Sequence, residues 1–213
     1  MTPTLRVGVL ASGEGTNLQA ILDRVHGRDG ITVVAVGSNR PGARALARAA
    51  AAGVPVETFE LDADANREKR DVAMARWLES HDVGLVVMAG YMQLVTPGFL
   101  DRFPDRVINV HPALLPAFPG IRAVEQAIAY GVKLFGVTVH FVDAGVDSGR
   151  IIAQRAVELP DPVDASQVRS ALRPLEHDLL CETIALVARG AVRLDPSHRR
   201  RVLVVAPGMV RPR

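Results

Sequence analysis

Cysteine is almost missing from this chain: Cys181 is the only one in 213 residues. No internal disulfide is possible, and a reducing compartment is the expected setting. Aromatic residues are scarce too, at 4% against 48% hydrophobic overall. A core so short of rings must be filled by Val, Leu, Ile and Ala, which suits a buried parallel sheet covered by Ala-rich helices. No apolar run reaches the roughly 18 residues of a membrane span, and no basic stretch followed by a long apolar run opens the chain. A cytoplasmic protein without a membrane partner is expected. An excess of one charge is lacking as well. The 25 basic and 23 acidic residues leave a net charge of +2, which argues against a dedicated nucleic-acid binder. Lysine occurs only at Lys69 and Lys133; with abundant Ala, this is the composition of a GC-rich genome rather than a functional signal. From Arg189 onward seven Arg face one acid, Asp195, and this segment reads as a solvated tail.

What is present alternates. In the first half, strand signals at Leu5–Leu10, Ile31–Val36, Val54–Phe59 and Gly84–Met88 are separated by helical patterns at Asn17–Val25, Ala43–Ala52 and Asn66–His81. Strands separated by such helices imply right-handed crossovers and a parallel sheet. The second half changes character. A short strand at Val107–Val110 runs into His-Pro and a proline-rich loop, Pro112–Gly120, before a helix at Ala123–Tyr130. Two strands, Phe135–Val142 and Ile151–Glu158, flank a Gly- and Asp-rich turn, and a long helix from Ala165 to Arg189 follows, interrupted in pattern by Pro174. One or two edge strands are expected at the end. No repeat or linker divides the chain. The expected fold is a single α/β domain over 1–213, Rossmann-like, with an open, mostly parallel sheet, helices on both faces and a mixed C-terminal part.

Three local features carry chemistry. The turn Ser12-Gly13-Glu14-Gly15-Thr16-Asn17 lies between the first strand and the first helix. Its amides and the helix N-terminus are suited to hold a phosphate, but a plain tight turn fits the same residues. It is neither the dinucleotide fingerprint, since Leu18 stands where the third glycine would fall, nor a P-loop, since no Gly-Lys-Ser/Thr follows. Asn109 and His111 sit two apart at a strand end, so both project to one side at the carboxyl edge of the sheet. An amide can donate to a developing oxyanion and an imidazole can shuttle protons; an ordinary polar pair at a strand end is the alternative. Asp147, in the later turn, is either a turn carboxylate or the partner that organises the His111 proton. The six histidines include no His-x-x-x-His pair, so no metal is expected. No Gly-x-Ser-x-Gly elbow is present. Cys181 and His177 read as residues of a packed helix.

Together these segments resemble the phosphoribosylglycinamide formyltransferase family of purine biosynthesis. The resemblance rests on SGEGTNLQAI (12–21), AGYM (89–92), INVHPALLPAFPG (108–120), GVTVHFVDAGVDSG (136–149) and LEH (175–177), in the family's order across nearly the whole chain. It implies 10-formyltetrahydrofolate as formyl donor and glycinamide ribonucleotide as acceptor. It implies Asn109, His111 and Asp147 as the catalytic set. Gly13, Glu14, Gly15, Thr16 and Asn17 would hold the acceptor's phosphate, with Arg173 and Glu176 also on the ribonucleotide and Glu176 on its ribose. Arg67, Tyr91, Met92, Gln93, Leu94, Asp143, Ala144, Gly145 and Val146 would line the folate site. Arg122, Ala144 and Arg150 depart from the residues common at their positions. A homodimer is left open. The rival expectations are a formyltetrahydrofolate hydrolase with the same catalytic set, a methionyl-tRNA formyltransferase, for which 213 residues leave no room for an RNA-binding domain, and a non-catalytic nucleotide-binding module.

Overall fold

The structure, a computed structural model, describes residues 4–61, 66–162 and 164–205. Its elements are β1 (Leu5–Leu10), α1 (Thr16–Arg24), β2 (Ile31–Ser38), α2 (Arg44–Ala51), β3 (Val56–Thr58), α3 (Arg67–Ser80), β4 (Leu85–Met88), α4 (Pro97–Leu100), β5 (Val107–His111), α5 (Ala123–Tyr130), β6 (Leu134–Phe141), β7 (Ile151–Glu158), α6 (Ala165–Ala188), β8 (Val192–Leu194) and β9 (Val202–Val204). Seven strands form one sheet in the order β3-β2-β1-β4-β5-β6-β7. The pairs from β3 to β5 are parallel; β6 runs antiparallel to both β5 and β7. The sheet is therefore parallel through its first five strands; β6 reverses direction after the loop and α5 that follow β5, and the Gly-rich turn then allows a direct return to β7.

Alternation along the strands builds two apolar layers. On β1, Val7 and Val9 face one side with Leu85 and Val87 of β4, against Leu18 and Ile21 of α1, Ala45 and Ala49 of α2, and Leu172, Leu180 and Ile184 of α6. Leu10 of β1 and Val86 and Met88 of β4 face the other side, against Met74, Ala75 and Leu78 of α3 and Phe99 of α4. The strands at the centre of the sheet are thus apolar on both faces, as a covered parallel sheet requires. The scarcity of rings is met by alanine, which lets the helices approach closely.

Local sequence sets the ends. Asn66 caps α3 by accepting from the Glu68 amide, and Asp164 caps α6 by accepting from the Gln167 amide. Pro174 lies inside α6 without ending it. Both Pro174 and Ser170, whose carbonyl loses its intrahelical donor, are on the exposed face. The expected strand at Val54–Phe59 shrinks to Val56–Thr58. The expected edge strands at the C-terminal end are β8 and β9, but they pair with each other in a separate two-stranded sheet rather than extending the large one. Among the described residues, no helix is long and apolar enough to cross a membrane.

Candidate active site

The carboxyl ends of β1, β4 and β5 lie side by side, because their parallel registers match Leu10 with Met88 and Met88 with Asn109. A cavity of about 500 Å³ opens there. One wall is the segment after β4, including Tyr91, Met92, Gln93 and Leu94; the facing wall is the turn after β6, including Asp143, Ala144, Gly145 and Val146. Asn109, His111 and Asp147 also line it.

The three side chains meet around the Asp147 carboxylate. Its Oδ2 lies 3.3 Å from His111 Nδ1 and accepts from the Gly120 N–H at 2.7 Å. Its Oδ1 accepts from Asn109 Nδ2 at 3.4 Å. Burial acts to raise the Asp147 carboxyl, but the adjacent His140 imidazole, the Gly120 N–H and the neighbouring His111 outweigh it and hold the group below the ordinary carboxylate range. Asp147 has a positive φ of 48°, a backbone conformation that L side chains adopt at a cost of order 1–3 kcal/mol. His111 is buried, and its Nε2 lies 2.9 Å from the Phe118 carbonyl. Both of its ring nitrogens thus face oxygen atoms.

His140 is a fourth member that the sequence reading does not single out. β6 pairs with β5 so that His140 lies opposite Asn109. Its Nδ1 is 2.8 Å from the Phe141 carbonyl, so that nitrogen carries a proton. Its Nε2 is 3.2 Å from Asn109 Nδ2 and 3.5 Å from Asp147 Oδ1. The imidazole therefore fixes the orientation of the Asn109 amide. The signal in the sequence is a lone histidine within the run GVTVHFV, and the structure buries it.

None of residues 12–17 lines this cavity, but hydrogen bonds of Ser12 link the glycine turn to its wall. Gly15 has φ 71° and stands at the N-cap of α1; a Cβ there would lie 2.8 Å from the Ala45 Cα, so glycine is required by both backbone and packing. Gly13 faces open space. The Ala45 N–H donates to the Gly13 carbonyl and Arg48 Nε to the Glu14 carbonyl, while Arg44 pairs with the Glu14 carboxylate. Ser12 Oγ donates to Asn39 Oδ1 and accepts from the Met92 N–H at 2.8 Å, tying the turn to the cavity wall. Asn17 Nδ2 donates to Glu176 Oε2 at 3.2 Å across 159 positions of sequence. Burial pushes the Glu176 carboxyl above its ordinary range, against the Asn17 hydrogen bond and the Arg173 charge. The Asn17 Oδ1 is buried with no hydrogen-bond partner among the described residues.

A formyl transferase family model matches residues 5–184. The chain belongs to that family. It is 45% identical over 187 residues to a phosphoribosylglycinamide formyltransferase of Mycobacterium tuberculosis, covering 88% of this chain and 86% of the relative. A glycinamide ribonucleotide transformylase of Symbiobacterium toebii superposes with a TM-score of 0.90 at 44% identity, covering 95% of both chains. A formyltetrahydrofolate deformylase of Pseudomonas syringae superposes at 0.87 with 26% identity, over 95% of this chain and 66% of that one.

Not every expected residue of this family member comes to the cavity. Arg67 opens α3 on the exposed face and does not line it. One turn further, the buried Arg70 and Asp71 form an ion pair. Asp71 Oδ2 accepts from the Thr96 N–H at 2.7 Å and Arg70 Nη2 donates to the Leu94 carbonyl at 3.4 Å. This pair, which the sequence reading missed, anchors the wall from Tyr91 to Thr96. The Tyr91 ring turns inward to Met74, and burial pushes its hydroxyl up to about 12. Burial also pushes the Cys181 thiol up to about 11, which keeps it protonated near neutral pH. Among the described residues no cluster of three or more His, Cys, Asp or Glu could hold a metal ion.

Proposed function

We propose that this chain, a single cytoplasmic domain, transfers the formyl group of 10-formyltetrahydrofolate to the amine of glycinamide ribonucleotide, giving formylglycinamide ribonucleotide and tetrahydrofolate. The observation that carries the reading is the meeting of Asn109, His111 and Asp147 at the end of a cavity whose wall is bonded, through Ser12 and Met92, to the glycine turn.

The acceptor's phosphate sits on the amides of Gly13–Asn17, with the open space at Gly13 as the approach. Glu176 takes the ribose hydroxyls, and Arg173 adds positive charge beside the anion. The folate lies between 91–94 and 143–146. The amine attacks the formyl carbon and forms a C–N bond; the carbonyl oxygen becomes an oxyanion held by Asn109 Nδ2 and the His111 imidazolium, whose Nε2 proton exchanges the Phe118 carbonyl for the oxyanion. Asp147 keeps the imidazolium charged and accepts or passes on the proton lost by the amine. The bond to the folate nitrogen then breaks, and that nitrogen takes the proton. Phosphate and ribose binding hold the amine in line.

The test is formyl transfer measured with and without glycinamide ribonucleotide. Release of formate from the donor alone, unaffected by the ribonucleotide, would make the chain a hydrolase like the Pseudomonas syringae relative in name; no reaction under either condition would leave a binding module.

A further inference from the structure

Asp147 holds an unfavourable backbone conformation, so its neighbours must keep it there. Within the turn, Ser148 Oγ and the Gly145 N–H both donate to Asp143 Oδ1. The turn closes tightly on the strand: the Phe141 N–H donates to the Arg150 carbonyl at 2.9 Å, and a Cβ on Gly149 would overlap the Phe141 carbonyl oxygen. The remaining support comes from the far end of the chain. Arg150 Nε donates to the Arg199 carbonyl at 2.7 Å, and its Nη1 pairs with Asp105. Arg200 Nη1 donates to the Ser148 carbonyl, one residue beyond Asp147.

The connection that supplies these groups, residues 195–201, is itself a closed structure. The Asp195 N–H donates to the Arg201 carbonyl, the Arg201 N–H donates to the His198 carbonyl, and Ser197 donates to Asp195 Oδ1 through both N–H and Oγ. Its flanking strands are rooted in the core. Val192, Leu194 and Val202 pack against the larger apolar layer, and the Val205 N–H donates to the Ala191 carbonyl. The segment that reads as a solvated arginine tail is, up to Val205, an ordered hairpin seated on the active-site turn.

We infer that the β8–β9 hairpin is a positioning element for the reaction: Arg150 and Arg200 tie its connection to the C-terminal arm of the Asp147 turn, at Ser148 and Arg150, and hold that carboxylate against His111. The inference rests on the proposed role of Asp147. Neither arginine lines the cavity. Asn109 and His111 from β5, His140 from β6 and the Gly120 N–H are the groups that face the carboxylate, and a loosened turn weakens all four contacts together.

The test uses the full-length protein with Arg150→Ala, Arg200→Ala, the double variant and Arg150→Lys, which keeps the charge but not the two-pronged contact. In steady-state transfer, the alanine variants should lower kcat by about three- to tenfold, the range that one or two partly exposed hydrogen bonds supply. KM for the ribonucleotide should stay within about twofold, since the glycine turn lies elsewhere, and Arg150→Lys should restore only part of the loss. The discriminating readout needs no substrate. The imidazole NMR signals of His111 and His140 in the free protein report protonation of Asp147 at acid pH. Their acid inflection should move upward in the alanine variants as the carboxylate returns towards its ordinary range. An unmoved inflection in the folded double variant overturns the proposal, even if thermal stability falls, because it leaves the hairpin a structural role alone. A moved inflection in the variants, with a wild-type protein that transfers no formyl group, would instead retain the support and reject the assigned reaction.

Discussion

Replacing Asp147 with Asn keeps the shape of the side chain and removes its charge. The carboxylate is 14% exposed and lies 3.3 Å from His111 Nδ1. The Asn variant can still accept from the Gly120 N–H, so the turn itself survives. What is lost is the negative charge 3.3 Å from the imidazole, an interaction with a charged group of the kind worth about 1.5–3 kcal/mol. Each ~1.4 kcal/mol is a factor of ten in rate, so kcat should drop about 10- to 150-fold with KM for the ribonucleotide little changed. The pH dependence provides a second check. Because interactions in the fold hold the Asp147 pKa below its ordinary value, the charged form persists to lower pH than in a free carboxylate. Wild-type activity should therefore fall only at clearly acid pH, and that limb should vanish in Asp147→Asn. The same depression contributes folding stability that is fully present above the unfolded carboxylate value and lost as pH falls through the folded one. The assay is steady-state transfer across pH with thermal melting in parallel. A variant with kcat within twofold of wild type and an unchanged acid limb would refute the coupling.

Three further outcomes follow from the same geometry. Asn109→Ala should lose about 10²–10³ in kcat, the usual effect of removing one oxyanion donor, with both substrates bound as before; equal loss in KM alone would place Asn109 in binding. Gly13→Ala should fold normally and weaken ribonucleotide binding, whereas Gly15→Ala should lower the melting temperature, because its φ of 71° and the Ala45 contact both oppose a Cβ; calorimetry and ligand titration separate the two. Glu176→Gln should weaken ribonucleotide binding yet raise thermal stability near neutral pH, since a carboxyl whose pKa is raised by burial loses stability as pH rises from its unfolded value through the folded one.

Much of the fold could be read from the chain because its signals are local. β1, α5 and β7 fall at the ends expected from apolar alternation and capping residues, and Asn109 and His111 project together because strand geometry requires it. What escaped reading depends on partners remote in sequence. His140 acquires meaning only when β6 lies beside β5 in a register that the intervening helix and loop decide. Arg70 rather than Arg67 is drawn inward because the buried Asp71 beside it and the Leu94 carbonyl, on a segment more than twenty residues later, accept from it. Gly15 reads as a place for a ligand to approach, but its missing side chain makes room for α2. The short α4 carries too few residues for a periodic pattern, and β8 and β9 are three residues each, so their pairing with each other rather than with the large sheet left no mark in the sequence.

The Ser12 hydroxyl has two bonds and a single proton. It gives that proton to Asn39 on the far side of the glycine turn and receives the Met92 amide from the wall of the large cavity. Any shift of the turn on taking up an anion is therefore transmitted to Met92, and any shift of Met92 on closure around a second molecule is transmitted back. Thermodynamic linkage makes that exchange symmetrical: the factor by which the first ligand alters affinity for the second equals the factor in the reverse order. Order of addition would then be a matter of kinetics, with one coupling constant shared by both substrates, and Ser12→Ala would bring it towards one without removing a group from either binding site.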